Sequence, residues 1–199
     1  MGIDLSQIRE LCEHTLDETD FSELGERHTG KVRESYVKDG HRTLIVSDRV
    51  SCFDVVVGTI PLKGQVLNQV AAFWFDKTRE IAPNHLLSVP DPSASITVEC
   101  QPLAVEFVYR GYLTGSTKTS IWTAYERGDR SYCGHQLPDG LRRHEKLPEP
   151  LLTPTTKADM GAHDEVTSRA ALIESGVISE EHYAKAEEIT SALFDAGTR

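Results

Sequence analysis

An Asp-Gly pair at residues 39–40 separates two runs that have the composition of β-strands, and this pair strongly constrains the fold. The run before it (31–38) and the run after it (42–47) are rich in valine, tyrosine, threonine and isoleucine. Asp-Gly between two such runs is typical of a two-residue hairpin loop, because both turn positions need a positive φ angle. The sequence therefore predicts an antiparallel hairpin over residues 31–47.

Helical periodicity is clearest in residues 65–80, where apolar side chains recur at i, i+3 and i+4. We expect Pro83 to end this helix, and we expect Trp74 and Phe75 to lie in the core. Further helices are predicted at 4–16, 116–127, 167–175 and 180–196, and further strands at 53–57, 95–100 and 103–110. Residues 129–158 contain four prolines and are predicted to form a long loop.

Composition limits the classes of partner. The formal net charge is −10 and the isoelectric point is near 5.2, which argues against nucleic acid or an anionic membrane surface as partner. Local basic clusters still allow anionic metabolites to bind. The four cysteines form no CxxC pair, so we expect reduced thiols, and no signal peptide or transmembrane helix is predicted. The chain is expected to be cytoplasmic.

The distribution of elements predicts two lobes. A chain of 199 residues is long enough for one large or two small domains. The first half is rich in strands and the second half in helices. We therefore predict a strand-rich N-terminal lobe over residues 1–108 and a second lobe over residues 109–199.

Residues 106–116 (Glu-Phe-Val-Tyr-Arg-Gly-Tyr-Leu-Thr-Gly-Ser) combine an apolar strand, an arginine and a glycine turn. The planar guanidinium of Arg110 can bind a phosphate through two hydrogen bonds. The backbone amides after Gly115 would lie at the start of the predicted helix 116–127, where the helix dipole favours an anion. The segment taken alone is typical of a strand with a surface arginine and an ordinary N-cap at Ser116, and only the other motifs of the chain favour the phosphate site over this alternative. A phosphate site is the hypothesis that we carry forward.

The segment Gly25–Val32 nearly matches a P-loop, but Val32 stands where that motif needs serine or threonine. A strand pattern also follows Lys31, whereas a P-loop needs a helix there. Two interpretations remain open for Gly30, Lys31 and Arg33. They could close over a triphosphate as glycine-rich hairpins do, or they could form a solvated basic strand face.

Two other polar segments follow in the chain. Residues 47–54 come directly after an apolar strand and could line a cleft or serve only as a turn. Residues 153–165 place Lys157 near an acidic cluster, in which Asp164 and Glu165 follow His163 directly. We favour a loop that carries a lysine to a phosphate, because adjacent side chains rarely converge on one metal ion.

Five blocks of the sequence, taken in order, together resemble the SAICAR synthetase family. They are residues 30–36, 47–54, 64–75, 105–116 and 153–165. The resemblance implies an α+β fold, with an antiparallel-sheet N-lobe that is kinase-like in outline, an α/β second domain and an active site between them. It implies an ATP-dependent ligase of de novo purine biosynthesis. That enzyme would use ATP and Mg²⁺ to activate the carboxylate of CAIR, the carboxylated aminoimidazole ribonucleotide, as an acyl phosphate. L-aspartate would then displace phosphate to give SAICAR.

The resemblance also implies roles for individual residues. Those at the ATP phosphates would be Gly30, Lys31 and Arg33, and those at the 5′-phosphate of the ribonucleotide would be Arg110 and Ser116. The catalytic residues on the loop would be Lys157 and Asp164. The remaining residues of the substrate cleft would be Asp48, Arg49, Asp54 and Glu106.

Family members are expected to continue past a helix like 180–196 into segments that carry the carboxylates for magnesium. The resemblance therefore implies that this chain corresponds to an N-terminal portion, with the expected metal ligands beyond Arg199. Glu34 and Cys52 are small departures from the aspartate and alanine that are usual there. The alternative function is a catalytically inactive module that binds nucleotide or ribonucleotide. The expected partners are ATP, CAIR and L-aspartate, and the oligomeric state stays open.

Overall fold

The computed structural model describes residues 4–52, 55–156 and 165–199. The chain divides into two units, Met1–Gln101 and Pro102–Arg199. Both contain helices and antiparallel strands, which confirms the predicted α+β class. The sequence places the division after residue 108, whereas here residues 105–112 pair with a strand of the second unit. The roles assigned to the two lobes stay predictions.

Five strands of the first unit form one antiparallel sheet. They are β1 (Glu26–Thr29), β2 (Arg33–Lys38), β3 (His41–Val46), β6 (Leu86–Asp91) and β7 (Ala94–Val98), in the order β1-β2-β3-β7-β6. Strands β4 (Arg49–Cys52) and β5 (Val55–Thr59) form a separate hairpin. The predicted hairpin is confirmed, because β2 pairs with β3 around Asp39 and Gly40, whose φ angles are 51° and 75°. Strand β6 was not predicted.

Two helices accompany the sheet. Helix α1 (Leu5–Cys12) begins at Asp4, which forms a capping box with Gln7. Helix α2 (Lys63–Lys77) contacts β3, β6 and β7. It ends at Lys77, so Pro83 does not end it as expected. The hydroxyl of the C-cap residue Thr78 donates to the carbonyl of Trp74 at 2.7 Å.

The expectation that Trp74 lies in the core is wrong, because its side chain is 44% exposed. The buried residues of α2 are Gly64 and Asn68. Asn68 faces the sheet, where its Oδ1 accepts a hydrogen bond from the Ser95 hydroxyl at 2.8 Å. Phe75 is half-buried rather than in the core, and its ring meets that of His85 edge-on, with the ring centroids 5.2 Å apart. Helix α2 is therefore held by a polar contact as well as by an aromatic one.

The interior of the first unit is strongly polar. Tyr36 is fully buried, and its hydroxyl hydrogen-bonds the Thr19 hydroxyl at 2.9 Å and accepts from the backbone N–H of Phe21 at 3.2 Å. Other buried polar residues are Glu34, Ser35, Ser47, Asp48, Arg49, Asn68, Ser95 and Thr97. Buried polar groups are costly unless they are hydrogen-bonded, so this unit depends on a specific network of contacts.

The second unit is built around two paired strands. Its elements are β8 (Val105–Tyr112), α3 (Ile121–Glu126), β9 (Ser131–Tyr132), β10 (His135–Gln136), β11 (Lys146–Thr156), α4 (Arg169–Glu174) and α5 (Glu180–Gly197). Strands β8 and β11 run antiparallel, and β9 and β10 form a short hairpin. No helix within the described part of the chain has both the length and the apolar character needed to cross a membrane.

The predicted loop over residues 129–158 is wrong, because β11 occupies eleven of its positions. Pro148 and Pro150 lie where the pairing with β8 slips, between Lys146 and Leu151. Prolines at such an irregularity remove no hydrogen bond from the ladder. A proline-rich segment can therefore still pair as a strand, and composition alone did not reveal this.

The two faces of the β8–β11 pair support different clusters. Val105 and Leu152 pack with α4, α5 and the loop between them, in a cluster completed by Leu172, Ile178 and Tyr183. Another cluster contains Leu113, Ile121, Ala124, Tyr125, Tyr132, Leu137 and Leu147, with Leu151 packed against it. Successive strand residues point to opposite faces, so Leu151 and Leu152 serve different clusters.

Candidate functional site

The residues predicted to cover a triphosphate form the tip of the β1–β2 hairpin. Thr29 pairs with Glu34 at the base of the tip, and the N–H of Gly30 donates to the carbonyl of Arg33 at 2.8 Å. Lys31 and Arg33 are both exposed. A strand follows the tip, so the prediction that this segment is not a P-loop is confirmed.

Arg49 lies beneath this tip and is only 7% exposed. Its Nε donates to the carbonyl of Lys31 at 3.0 Å, and its Nη2 donates to the carbonyl of Gly30 at 2.9 Å. Its Nη1 donates to the carbonyl of Asp17 at 2.8 Å. One guanidinium thus ties the hairpin tip to the segment that precedes β1.

The charge of Arg49 is balanced by Glu34, which is fully buried. Arg49 Nη2 donates to Glu34 Oε1 at 2.8 Å, and Arg27 Nε donates to Glu34 Oε2 at 3.3 Å. Arg27 also donates to Glu18, and this hydrogen bond lowers the pKa of the exposed Glu18 carboxyl below its ordinary value. Sequence reasoning noted Glu34 only as a departure from aspartate and missed its partner.

Asp48 is also buried and accepts hydrogen bonds from two distant segments. Its Oδ2 accepts from the N–H of Leu16 at 2.9 Å, and its Oδ1 accepts from the N–H of Gly64 at 2.8 Å. The second contact satisfies an amide in the first turn of α2, whose N-cap residue Leu62 offers no side-chain cap. The predicted role of Asp48 at substrate stays a prediction, and the contacts made here are structural.

Arg110 lies on β8 and is half-buried. Its Nε donates to the Thr153 hydroxyl at 2.9 Å, and that hydroxyl donates to the carbonyl of Val108 at 2.9 Å. Neither terminal nitrogen of Arg110 has a hydrogen-bond partner among the residues that the structure describes. Thr153 therefore orients the guanidinium and leaves its two terminal groups able to bind an anion. Sequence reasoning missed Thr153, although it lies in the block 153–165.

Glu106 is exposed and lies on the same face of β8 as Arg110, because the two residues are separated by an even number of positions. It faces Thr155 across the ladder. Four residues of strand place the two positions about 13 Å apart along the chain. Glu106 is thus on the face that carries Arg110, at the opposite end of the strand.

Ser116 is not at the start of a helix, which corrects the prediction of a helix over 116–127. Helix α3 begins at Ile121, and its N-cap is Ser120, whose Oγ accepts from the N–H of Thr123 at 3.3 Å. Gly115 has φ of 120°, and a Cβ there would lie 2.3 Å from the Cβ of Ser120. The segment between them turns before the helix starts, so the helix dipole gives no support to an anion at the exposed Ser116.

The predicted residues Asp54, Lys157 and Asp164 lie outside the described residues, and their roles stay predictions. Within residues 4–52, 55–156 and 165–199, no three histidine, cysteine, aspartate or glutamate side chains come together as a metal site. The described side chains thus do not provide a set of ligands for Mg²⁺. We derive no chemical step through a metal ion from them.

Arg110 is close enough to influence the thiol of Cys133 electrostatically, but Cys133 is not an activated nucleophile. Burial raises the pKa of its thiol to about 11, and the positive charge of Arg110 only partly offsets this effect. A thiol must ionise to act as a nucleophile. Cys133 is therefore a packing residue beside the Arg110 site.

Fold and site together define a two-unit α+β protein, with exposed cations on a hairpin tip in one unit and an oriented arginine on a strand in the other. A family model described as SAICAR synthetase matches residues 26–199. The chain belongs to the SAICAR synthetase family.

Three similar proteins support this assignment. The phosphoribosylaminoimidazole-succinocarboxamide synthase of Bacteroides thetaiotaomicron is 46% identical over 187 residues, which cover 92% of this chain and 58% of that protein. The enzyme of the same name from Cytophaga hutchinsonii is 46% identical over 188 residues, which cover 93% of this chain and 59% of that protein. The solved SAICAR synthase of Saccharomyces cerevisiae, complexed with SAICAR, has a TM-score of 0.78 and 26% identity, with 91% of this chain and 64% of that chain covered.

The chain thus spans about three fifths of the length of the curated relatives that it matches. Family and fold are shown by these similarities. The roles of individual residues stay predictions.

Proposed function

We propose that this chain takes part in the ATP-dependent joining of L-aspartate to CAIR, which gives SAICAR, ADP and phosphate. The observation that carries the proposal is the 46% identity to proteins named phosphoribosylaminoimidazole-succinocarboxamide synthase over more than nine tenths of the chain. The yeast neighbour, which is complexed with SAICAR, supports the same class of small-molecule ligand. A cytoplasmic location belongs to this proposal.

The reaction needs activation because a carboxylate is a poor electrophile. In the proposed sequence, an oxygen of the CAIR carboxylate attacks the γ-phosphorus of ATP, and the bond to the β–γ bridging oxygen breaks to release ADP. The amino group of L-aspartate then attacks the acyl carbon and loses a proton. The bond from that carbon to the phosphate oxygen breaks, so the products are an amide and inorganic phosphate. Magnesium would supply neutralisation of the phosphate charge when it is bound.

The hairpin tip of the first unit would hold the ATP phosphates. Gly30 allows the tip to close through its hydrogen bond with the carbonyl of Arg33, and Lys31 and Arg33 carry the exposed positive charge. Cations placed at a transferring phosphoryl group stabilise the charge that develops there. The proposed role of these residues is to bind and orient the triphosphate.

Arg110 would bind the 5′-phosphate of the ribonucleotide. Thr153 fixes its Nε, so the two terminal nitrogens enter the interaction already oriented. Orientation before binding reduces the entropy that the arginine side chain loses on binding. Ser116 and Glu106 are proposed to contact the same ligand, at its phosphate and at its imidazole end respectively.

Isothermal titration of the 199-residue chain with MgADP and with SAICAR tests these assignments. Arg110→Ala should weaken SAICAR binding by about 10- to 100-fold, because a charged hydrogen bond is lost, and should leave MgADP binding within about twofold. Lys31→Ala should have the opposite selectivity. Arg79→Ala, which removes an exposed arginine of a surface ion pair after α2, is the matched control and should change neither affinity.

A second assay separates the ligase from the binding-only alternative. ADP release is measured with MgATP and CAIR, with and without L-aspartate. Turnover that depends on L-aspartate supports the ligase. Binding without turnover supports the catalytically inactive module, and failure to bind either ligand refutes both proposals.

A further inference from the structure

Arg49 uses nearly all of its hydrogen-bonding capacity inside the first unit. A guanidinium has five N–H donors. Four hydrogen bonds are made here, to the carbonyls of Gly30, Lys31 and Asp17 and to the carboxylate of Glu34. The side chain is 9% exposed, and its charge is already paired. These contacts argue against direct binding of a substrate anion.

We propose that Arg49 is a positioning residue for the hairpin tip Gly30–Val32, and that it acts on nucleotide binding through the backbone of this tip. The proposal rests on the proposed nucleotide-binding function and names how that site is shaped. It differs from the role that the family resemblance implies for Arg49, which is a contact with the substrate.

The geometry of the peptide unit explains the effect. The structure has no cis peptide bonds among its described residues, and in a trans peptide the carbonyl of one residue and the N–H of the next point in opposite directions. Arg49 draws two successive carbonyls, those of Gly30 and Lys31, towards the interior. The N–H groups of Lys31 and Val32 are therefore directed away from Arg49. Successive N–H groups aimed in one direction are a common way to bind a phosphate oxygen.

The ion pair with Glu34 fixes where the guanidinium lies. The side chain of Glu34 is 1% exposed, and Arg27 binds its second oxygen, so the carboxylate has little freedom to move. The third carbonyl, of Asp17, holds the guanidinium from the segment before β1. Arg49 is thus anchored on one side and holds the tip on the other. The pair with Glu34 also balances the positive charge of Arg49, so the buried guanidinium does not itself attract the anionic ligand.

Arg49→Lys is the variant that tests this role. Lysine keeps the positive charge beside Glu34, but its single ammonium cannot reach the carboxylate and three separate carbonyls in the planar arrangement of a guanidinium. We expect the affinity of the 199-residue chain for MgADP to fall by about tenfold, as for the loss of one such hydrogen bond. The affinity for SAICAR should stay within about twofold.

Arg27→Lys is the matched control. Arg27 also binds Glu34, but no hydrogen bond described for it reaches the hairpin tip. It should lower the melting temperature and leave the affinity for MgADP within about twofold. A general loss of stability in the first unit would instead weaken binding in both variants alike, and this result would overturn the positioning role.

Backbone ¹⁵N relaxation of the unsubstituted chain tests the same proposal without a variant. If Arg49 fixes the tip, residues 30–32 should have order parameters of roughly 0.85, as in rigid backbone, before MgADP is added. Values below roughly 0.6 that rise only on binding would overturn it. A larger loss of SAICAR than of MgADP affinity in Arg49→Lys would also overturn it, as would unchanged MgADP binding. Failure of the parent chain to bind MgADP would instead refute the nucleotide site itself, and the positioning role with it.

Discussion

Replacing Gly64 by alanine should destabilise the first unit through a single steric conflict. Gly64 is buried in the first turn of α2, and an added Cβ would lie 2.1 Å from the carbonyl oxygen of Val46. Real Cβ atoms essentially never approach another atom within 3.0 Å, so the helix or β3 must move by about 1 Å. The backbone of Gly64 is not left-handed, so the expected cost comes from contact and not from its φ angle.

The magnitude follows from two losses and one gain. Overpacking at a buried position costs about 1–3 kcal/mol. The same movement breaks the hydrogen bond from the Gly64 N–H to Asp48 Oδ1, which is 2.8 Å long and buried, at a cost of about 1.5–3 kcal/mol. Alanine gains about 1 kcal/mol over glycine in helix propensity. We expect the free energy of unfolding to fall by about 1.5–5 kcal/mol.

Urea unfolding measures this change, and the chain offers a local probe. Trp74 lies on α2, and the other tryptophan, Trp122, lies in the second unit. In a Trp122→Phe background, tryptophan fluorescence therefore reports on the helix that carries the Gly64 substitution. Gly197→Ala is the matched control, followed by far-UV circular dichroism. An added Cβ there meets nothing within 4 Å. It should be neutral or stabilising by up to about 1 kcal/mol.

A loss of less than about 0.5 kcal/mol for Gly64→Ala would refute the reasoning, because surface substitutions without a specific mechanism have effects of that size. It would mean that α2 can move away from β3 at little cost. The hydrogen bond from Asp48 would then contribute little to holding the helix.

Three further predictions concern the second unit. Leu172→Ala should lower the free energy of unfolding by about 2–5 kcal/mol, because Leu172 is 1% exposed within its cluster. Val177→Ala, at a position that is 42% exposed, is the control. Equal losses in the two variants would contradict the expectation that the cluster stabilises this unit. At pH 8, Cys133 should react with a disulfide reagent far more slowly than the three exposed cysteines, because burial raises its pKa to about 11. Equal reaction rates for all four thiols would contradict this prediction. Since the folded pKa lies above the ordinary value of 9.0, the stability that the protonated Cys133 thiol contributes is present below pH 9 and is lost as the pH rises towards 11.

The sequence predicted those elements whose signals are local. Asp39 and Gly40 determine their turn through their own φ angles, and the hairpin formed as expected. Helix α5 begins after Ser179, whose hydroxyl accepts from the N–H of His182, as its N-cap pattern indicates. Five ordered motif blocks were enough to identify the family. A strand follows residues 30–32 as expected, although the sequence did not predict β1, the strand that pairs with it.

The tertiary structure alone decided features that depend on distant partners. A serine is an N-cap only where the chain turns into a helix, so Ser116 and Ser120 could not be distinguished by composition. Pro148 and Pro150 are compatible with a strand because the pairing of β11 with β8 slips where they lie. Arg49 looks like a cleft arginine in the sequence, whereas its four acceptors lie on two other segments, at Asp17 and within residues 30–34. A side chain's partners follow from which segments meet in the fold, and a linear pattern of residue types does not contain that information.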